Sequence, residues 1–414
     1  MTTLPRRFGL PDFVPAKPAS WFIAAAQTMV RAGLALTNRL YLSEEDLLLF
    51  TRLPKGAGII LASNHADETD PLICLELSRR SGKRFISMCN REAFDEMYGL
   101  AGLALQRLGH FSVKRGVHDG AAKDYAINTV RQGDKVLVIF PEGEIYYMNE
   151  AVQPFHSGAV EICIQAILEN RKMNDAWTAF ILPMVIKYHY NSNIERELAR
   201  RISKMESELL LRRTSERLQE RLLIIQGILI DREKRSHSIK MEQASAVNLA
   251  EQLGEVEQDI LSQIESKHQE LPISAHGHLI DHTWQLEAEL RQGLKDQKNA
   301  MLREELKQDL EALEEVAQLS AWRPSYWQTS ESTDRLAEAV LKTEREFFKI
   351  KRPRQLASRY VFVKLSEPID MGNHIADYMQ DAKATRQKLT TNLHDRIQGI
   401  IDSLTTPSKS QSCQ

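Results

Sequence analysis

The sequence predicts an α/β domain, a sheet flanked by helices, interrupted by a large α-helical insertion. Three observations predict it. Short apolar runs alternate with helical patterns between residues 58 and 190, stripes near the heptad period fill 193–349 with no strand signal, and one alternating run returns at 359–365. The apolar runs at 58–63, 84–88, 135–140 and 180–186 are bounded by turn or charged residues. That is the pattern of strands buried on both faces. Helical patterns at 70–81, 92–108, 120–132 and 158–170 fall between them, which gives the strand-helix alternation of an α/β layer structure.

Residues 1–19 read as a proline-rich, loosely ordered lead and 21–41 as a helix. The apolar part of that helix is interrupted by Gln27, Thr28 and Arg31 and falls short of the roughly 20 residues that cross a bilayer. An amphipathic helix lying on a membrane is expected, with a helix packed only on the protein's own core as the alternative. In the insertion, Ile194, Leu198, Ile202, Met205 and Leu209 mark one stripe. Leu249, Leu253, Val256, Ile260 and Ile264 mark a second, and Leu302, Leu306, Leu310, Leu313 and Val316 a third. Breaks near Ser236-His237-Ser238, Leu271-Pro272 and Arg323-Pro324 divide it into several antiparallel helices, a bundle or coiled-coil hairpin. The strand at 359–365 is unstable alone and is expected to pair back into the earlier sheet, followed by a last amphipathic helix. The expected organisation is a flexible lead 1–19, an α/β domain from 20–192 and 352–405, a helical insertion 193–351 and a flexible tail 406–414.

Composition narrows the function classes. Hydrophobic residues at 43% and charged residues at 27% belong to a globular chain and exclude a disordered one. A net charge of -2 provides no global electrostatic hold on nucleic acid or anionic lipid. The cysteines Cys74, Cys89, Cys163 and Cys413 have no short paired spacing, which argues against a zinc site or disulfide scaffold and for a reducing compartment. No glycine-rich nucleotide loop and no solenoid repeat is present.

Three constellations carry chemistry. Asn64-His65 followed by Asp70 sits directly after an apolar strand and before a helix, where side chains are displayed at a sheet edge. A histidine there accepts a proton near neutral pH, and a carboxylate about one turn onward fixes its tautomer and stabilises the imidazolium. No Gly-x-Ser-x-Gly elbow supplies a nucleophile, so the base would act on a substrate hydroxyl. Phe140-Pro141-Glu142-Gly143 ends the third strand in a tight turn that brings Glu142 to a strand end. Gly109-His110-Phe111-Ser112-Val113-Lys114-Arg115 ends in an arginine suited to phosphate or carboxylate. Taken singly, each also fits a plain structural role: a solvated histidine, a strand-to-loop turn, a surface cation.

Together and in order, these residues resemble the glycerolipid acyltransferases, the family that includes the lysophosphatidic acid acyltransferases. Its first motif, Asn-His-x4-Asp, is matched by Asn64, His65 and Asp70; its second by Gly109, Phe111 and Arg115; its third, Phe-Pro-Glu-Gly, by Phe140, Pro141, Glu142 and Gly143. The fourth, a strand with a central proline, is matched around Pro183, and Pro154-Phe155-His156-Ser157-Gly158-Ala159 and Leu365-Ser366-Glu367-Pro368-Ile369 resemble later family stretches.

The resemblance implies that His65 deprotonates an acceptor hydroxyl, which attacks the thioester carbonyl of acyl-CoA or acyl-carrier protein. It implies that Asp70 orients His65. Asn64, Arg115, Phe140, Pro141, Glu142 and Gly143 would bind substrate, Arg115 at the phosphate and the Glu142-Gly143 turn at the glycerol. No metal or other cofactor is implied. The acceptor is expected to be a lyso-glycerolipid, 1-acyl-glycerol-3-phosphate by default, met by a peripheral protein at the cytoplasmic face of a membrane. Two departures stand out. Many relatives continue the third motif with Thr-Arg, whereas this chain reads Glu144-Ile145-Tyr146-Tyr147; the glutamate would repel phosphate, which favours a lysophospholipid-remodelling enzyme. The helical insertion is not part of the common family domain and is expected to bind a carrier protein, a partner subunit or a membrane, or to support self-association. The alternative of another class is a catalytically idle lipid-binding or coiled-coil interaction protein.

Overall fold

The computed structural model describes residues 11–213, 215–237, 249–268, 279–328, 330–350 and 353–405. The first part of the expected lead, the tail 406–414, Ser238 and the expected break at Leu271-Pro272 lie outside the described residues. Two compact units emerge, one within Met1–Lys114, Asp119–Asn191 and Ser358–Gln414, the other from Arg115–His118 and Ser192–Ala357.

The first unit opens with helix α1 (Ser20–Thr37), strand β1 (Asn38–Tyr41) and α2 (Glu44–Arg52). The alternating region follows as β2 (Gly58–Ser63), α3 (Asp70–Ser81), β3 (Phe85–Asn90), α4 (Leu100–Leu108), β4 (His110–Val113), α5 (Gly120–Gln132), β5 (Val136–Ile139), α6 (Gly158–Arg171) and β6 (Ala179–Tyr190). The second unit consists mainly of helices α7 (Glu195–Glu208), α8 (Leu218–Ser236), α9 (Leu249–Lys267), α10 (Leu279–Asp296), α11 (Ala300–Leu319), α12 (Pro324–Trp327) and α13 (Thr333–Phe347). The chain then returns to the first unit as β7 (Arg359–Leu365), β8 (Ile369–Asp370), α14 (Ile375–Gln380) and α15 (Ala382–Thr405).

The strands form one eight-stranded sheet in the order β1-β7-β6-β2-β5-β3-β4, with β8 also on β6. From β6 to β4 every pairing is parallel; β7 and β8 join β6 antiparallel, and β1 runs parallel to β7. Helices cover both faces. Ile60, Ala62, Leu137, Ile139 and Ile181 pack with α5, α6 and α15, while Ile59, Leu61, Val136, Val138 and Leu182 pack with α2 and α3. This double covering is why the central strands read as unbroken apolar runs. Pro183 has no N–H to give to a ladder. It falls where the partner of β6 changes from β8 to β7, and its carbonyl accepts from Ser366 N at 2.9 Å.

Three local expectations need correction. The helix read over 21–41 ends at Thr37, and Asn38–Tyr41 is a strand paired with Arg359–Phe362, a partner too remote to leave a local signal. The helix read over 92–108 is helical only from Leu100; before it lie two 3₁₀ turns, with Met97 (φ 50°) and Tyr98 (φ 60°) left-handed. Residues 14–19, expected to be loosely ordered, are tied down. Val14 is fully buried, Ser112 N donates to Val14 O at 2.9 Å, and Lys17 N and Ala19 N donate to Gln106 O and Arg107 O.

In the second unit the greater part of each stripe faces inward: Leu198, Ile202 and Met205 on α7, Val256, Ile260 and Ile264 on α9, and Leu310, Leu313 and Val316 on α11 are buried, whereas Leu302 at the start of the third stripe is exposed. Residues 297–299 join α10 to α11, a connection short enough to require an antiparallel hairpin.

Candidate active site

β2 lies in the middle of the sheet, between β6 and β5, so the chain leaving its C-terminal end emerges between the end of β5 and the continuing length of β6. Asn64 is the first residue past the strand. Its side chain extends the ladder: Nδ2 donates to Ile186 O at 2.9 Å and Ile186 N donates to Oδ1 at 2.9 Å. At 2% exposure, with both polar groups on the strand backbone, Asn64 braces the loop. The sequence had placed it among substrate-binding residues.

His65 comes next. Its Nδ1 lies 2.8 Å from Asp70 Oδ2, and Asp70, the first residue of α3, is completely buried. The same oxygen accepts Asp67 N at 3.0 Å, and Oδ1 accepts the Tyr188 hydroxyl at 2.6 Å. Burial pushes the Asp70 carboxyl up, Asp67 adds to that push, and the bonds from His65 and Tyr188 pull against it. The Tyr188 phenol is raised well above its ordinary value, by burial first and by the Asp70 charge next. Tyr188 is therefore a fixed donor. With Asp70 accepting from Nδ1–H, the lone pair of the imidazole sits on Nε2, the nitrogen left to act on a substrate proton.

The turn after β5 backs the histidine from the other side. The Phe140 ring stacks on the imidazole, centroids 4.1 Å apart and planes at 19°. Gly143 N donates to Phe140 O at 3.0 Å and Gly143 has φ 73°, a left-handed position that suits glycine. Pro141 O accepts His156 N at 2.9 Å. Glu142, only 3% exposed, accepts His65 N on Oε1 at 2.7 Å and Gln153 N on Oε2 at 3.0 Å. Burial pushes its carboxyl up to about 8, although those two amides favour the ionised form. Read in the sequence as substrate contacts, Phe140, Pro141 and Glu142 are here engaged with the protein itself and set the position of His65.

A further layer was invisible in the sequence. Arg359, at the start of β7, donates from Nη1 to Asp67 Oδ2 at 2.7 Å and from Nε to Asn38 Oδ1 at 3.2 Å, and its guanidinium lies 4.2 Å from the Tyr188 ring centroid. Burial pushes Asp67 up, but the charge and hydrogen bond of Arg359 together with the bonds from Thr69 outweigh it, so the carboxyl ends below its usual range. Thr69 N and Oγ1 both donate to Asp67 Oδ1, at 2.8 and 2.5 Å. Arg359 and Tyr188 lie on paired antiparallel strands, a relation that only the sheet register reveals.

Arg115 groups with the helical unit, its guanidinium 5.1 Å from the Trp284 ring centroid. Neighbouring Gly116 (φ 73°) allows this, since a Cβ there would come within 2.1 Å of Trp284 O. Among the described residues, Glu233, His237 and Glu315 bring potential metal ligands within 4.8 Å of one another. The Lys349 ammonium, 3.8 Å from Glu233 and 3.6 Å from Glu315, already supplies a cation there.

The family model described as Acyltransferase matches residues 50–187, the segment holding His65, Asp70, Arg115 and the Phe140 to Gly143 turn. No curated protein matches the chain.

Proposed function

Residues 50–187 form an acyltransferase-family segment, and from that premise we propose that the protein transfers a fatty acyl group from an acyl-CoA or acyl-carrier-protein thioester to a lyso-glycerolipid hydroxyl. The default acceptor is 1-acyl-glycerol-3-phosphate, in phospholipid biosynthesis. The observation that carries the reading is the buried Asp70 held 2.8 Å from His65 Nδ1, which leaves Nε2 as the base.

In this mechanism Nε2 takes the proton of the acceptor hydroxyl as its oxygen attacks the thioester carbonyl. Asp70 stabilises the resulting imidazolium. The tetrahedral adduct expels the thiolate, which recovers the proton from Nε2, so ester and free thiol leave and the imidazole is neutral again. Phe140 stacking and the bond from His65 N to Glu142 keep ring and backbone in place throughout.

Membrane encounter is part of the proposal. No described helix is long and apolar enough to cross a bilayer. Exposed Trp21, Met29 and Leu36 on α1, with Leu100 and Leu103 on α4, against which α1 packs, support peripheral attachment to a membrane, and the cytoplasmic face is the side proposed. A second reading, remodelling of lysophospholipids with larger headgroups, is favoured by Glu144 in place of the neutral and cationic residues of phosphatidate-forming relatives.

The test is thioester consumption with lysophosphatidic acid, glycerol 3-phosphate and a panel of lysophospholipids, in the presence of vesicles, with His65→Ala as control. Turnover that falls about 10³-fold or more in the variant is expected. The preferred acceptor then separates the two readings. No turnover with any acceptor and either donor would point to a lipid-binding protein instead.

A further inference from the structure

An open cavity of about 280 Å³ lies along α3 in the first unit. Pro71, Cys74, Leu75 and Ser78 form its α3 wall, spaced as one face of that helix, and Ile23 and Gln27 of α1 face it. The wall starts at Pro71, one residue from Asp70. It ends at Lys83 and Arg84, beyond the C-terminus of the helix. Since β2 and β3 both run parallel to β5, α3 must travel back from the catalytic end of the sheet to the opposite end. At about 1.5 Å per residue, Pro71 and Gly82 are roughly 16 Å apart.

The two ends of the cavity differ chemically. Glu76 holds Arg79 and Arg80 through hydrogen bonds of 2.7–2.9 Å. Lys83 and Arg84 line the far end, no carboxylate among the described residues lines the cavity, and Arg84 Nη2 donates to Ser20 Oγ at 3.0 Å. His110 also lines the cavity, and its Nδ1 is buried with no hydrogen-bond partner among the described residues. Burial pushes that imidazole down to about 4, so it is neutral at physiological pH and offers one donor and one acceptor.

We propose that this cavity takes the phosphopantetheine arm shared by coenzyme A and carrier-protein thioesters, with the phosphate at Lys83 and Arg84 and the sulfur toward the Asp70 end of α3. The assignment rests on the thioester reading above. An extended arm spans roughly 16 Å from sulfur to phosphorus at ordinary bond lengths, the length of the α3 wall. Its amides meet Gln27, Ser78 and His110, and its methylenes meet Ile23, Cys74 and Leu75. An alkyl chain in the same place would set a methyl group against two cations.

The experiment titrates 4′-phosphopantetheine into the wild type, His65→Ala and the double variant Lys83→Glu/Arg84→Glu by calorimetry, with thermal melting as a control on folding. The wild type and His65→Ala should bind alike, and the double variant should bind at least tenfold more weakly. In turnover, the wild-type preference for acyl-CoA and acyl-carrier protein over an acyl-N-acetylcysteamine thioester, which has no phosphate, should shrink by the same factor. Equal affinity of the double variant overturns the assignment. So does a loss confined to acyl-CoA, which would put nucleotide phosphates at the two cations. Arm binding without turnover in the wild type would sink the transferase reading and leave the cavity assignment standing; turnover with unaltered binding in the double variant would do the reverse.

Discussion

Arg359 Nη1 meets Asp67 Oδ2 at 2.7 Å across 292 residues of sequence, and Asp67 in turn donates its backbone N–H to Asp70. The guanidinium is about 10% exposed. Removing one partner of a buried pair strands the other charge and costs about 3–5 kcal/mol. Arg359→Met should lose that much in urea denaturation. Adding Asp67→Asn, which deletes the stranded charge, should restore more than half of it. Simple addition of the two losses would show that the pair does not act as a unit.

Asp70→Asn should separate orientation from folding. An amide at this position favours the wrong imidazole tautomer, so kcat should fall on the order of 10²–10⁴-fold while acceptor KM changes little. Tyr188→Phe removes only the 2.6 Å hydroxyl donor and should cost roughly tenfold. Steady-state kinetics on both variants decide the matter, and equal losses would refute the division of roles.

Asn64→Ala is expected to act on stability before chemistry. It leaves the Ile186 N–H and C=O buried without their partners, at about 1–3 kcal/mol for each unsatisfied group. The measurement is a thermal melt beside single-turnover rates on the remaining folded protein. A variant with unchanged melting would mean that water replaces the side chain.

Glu142 gives a pH signature with a definite sign. Its folded carboxyl is raised to about 8 from an ordinary 4.5. The stability tied to the neutral form is therefore complete below about 4.5 and is lost as pH rises through about 8. Relative to Glu142→Gln, the wild type should lose stability between pH 5 and 8 at a rate of at most about 1.4 kcal/mol per pH unit. Parallel stability curves for the two proteins across that range would show that the backbone amides of His65 and Gln153 keep Glu142 ionised.

The sheet and its buried strands are legible because double covering writes itself as apolar runs such as residues 58–63, and α3 and α5 are legible to the residue as the helical patterns between those runs. His65 and Asp70 were legible as a pair because both lie in one short loop. Tyr188, Asp67 and Arg359 were not, because what joins them is register between β6 and β7, and register has no local trace. The motif residues Asn64 and Glu142 were visible, but their bonding was not: a sequence shows that a polar side chain is present, not that backbone amides and carbonyls consume it. The left-handed Met97 and Tyr98, both exposed, break an apparently continuous helix where the side-chain pattern carries no helix-stop signal.

The place of β7 after the helical unit also has a bearing on biosynthesis. Asn191 N donates to Ser358 O at 3.1 Å, so β6 and β7 are neighbours in space, although the stretch Ser192–Ala357 is translated between them. At about 5–20 residues per second, roughly ten to thirty seconds separate the two strands on the ribosome. Until Arg359 emerges, Asp67 has no counter-charge and β6 has an open edge. A nascent chain therefore holds His65 and Asp70 long before it holds the arginine that steadies their loop, and the ion pair of Arg359 with Asp67 waits for the whole helical unit to be made.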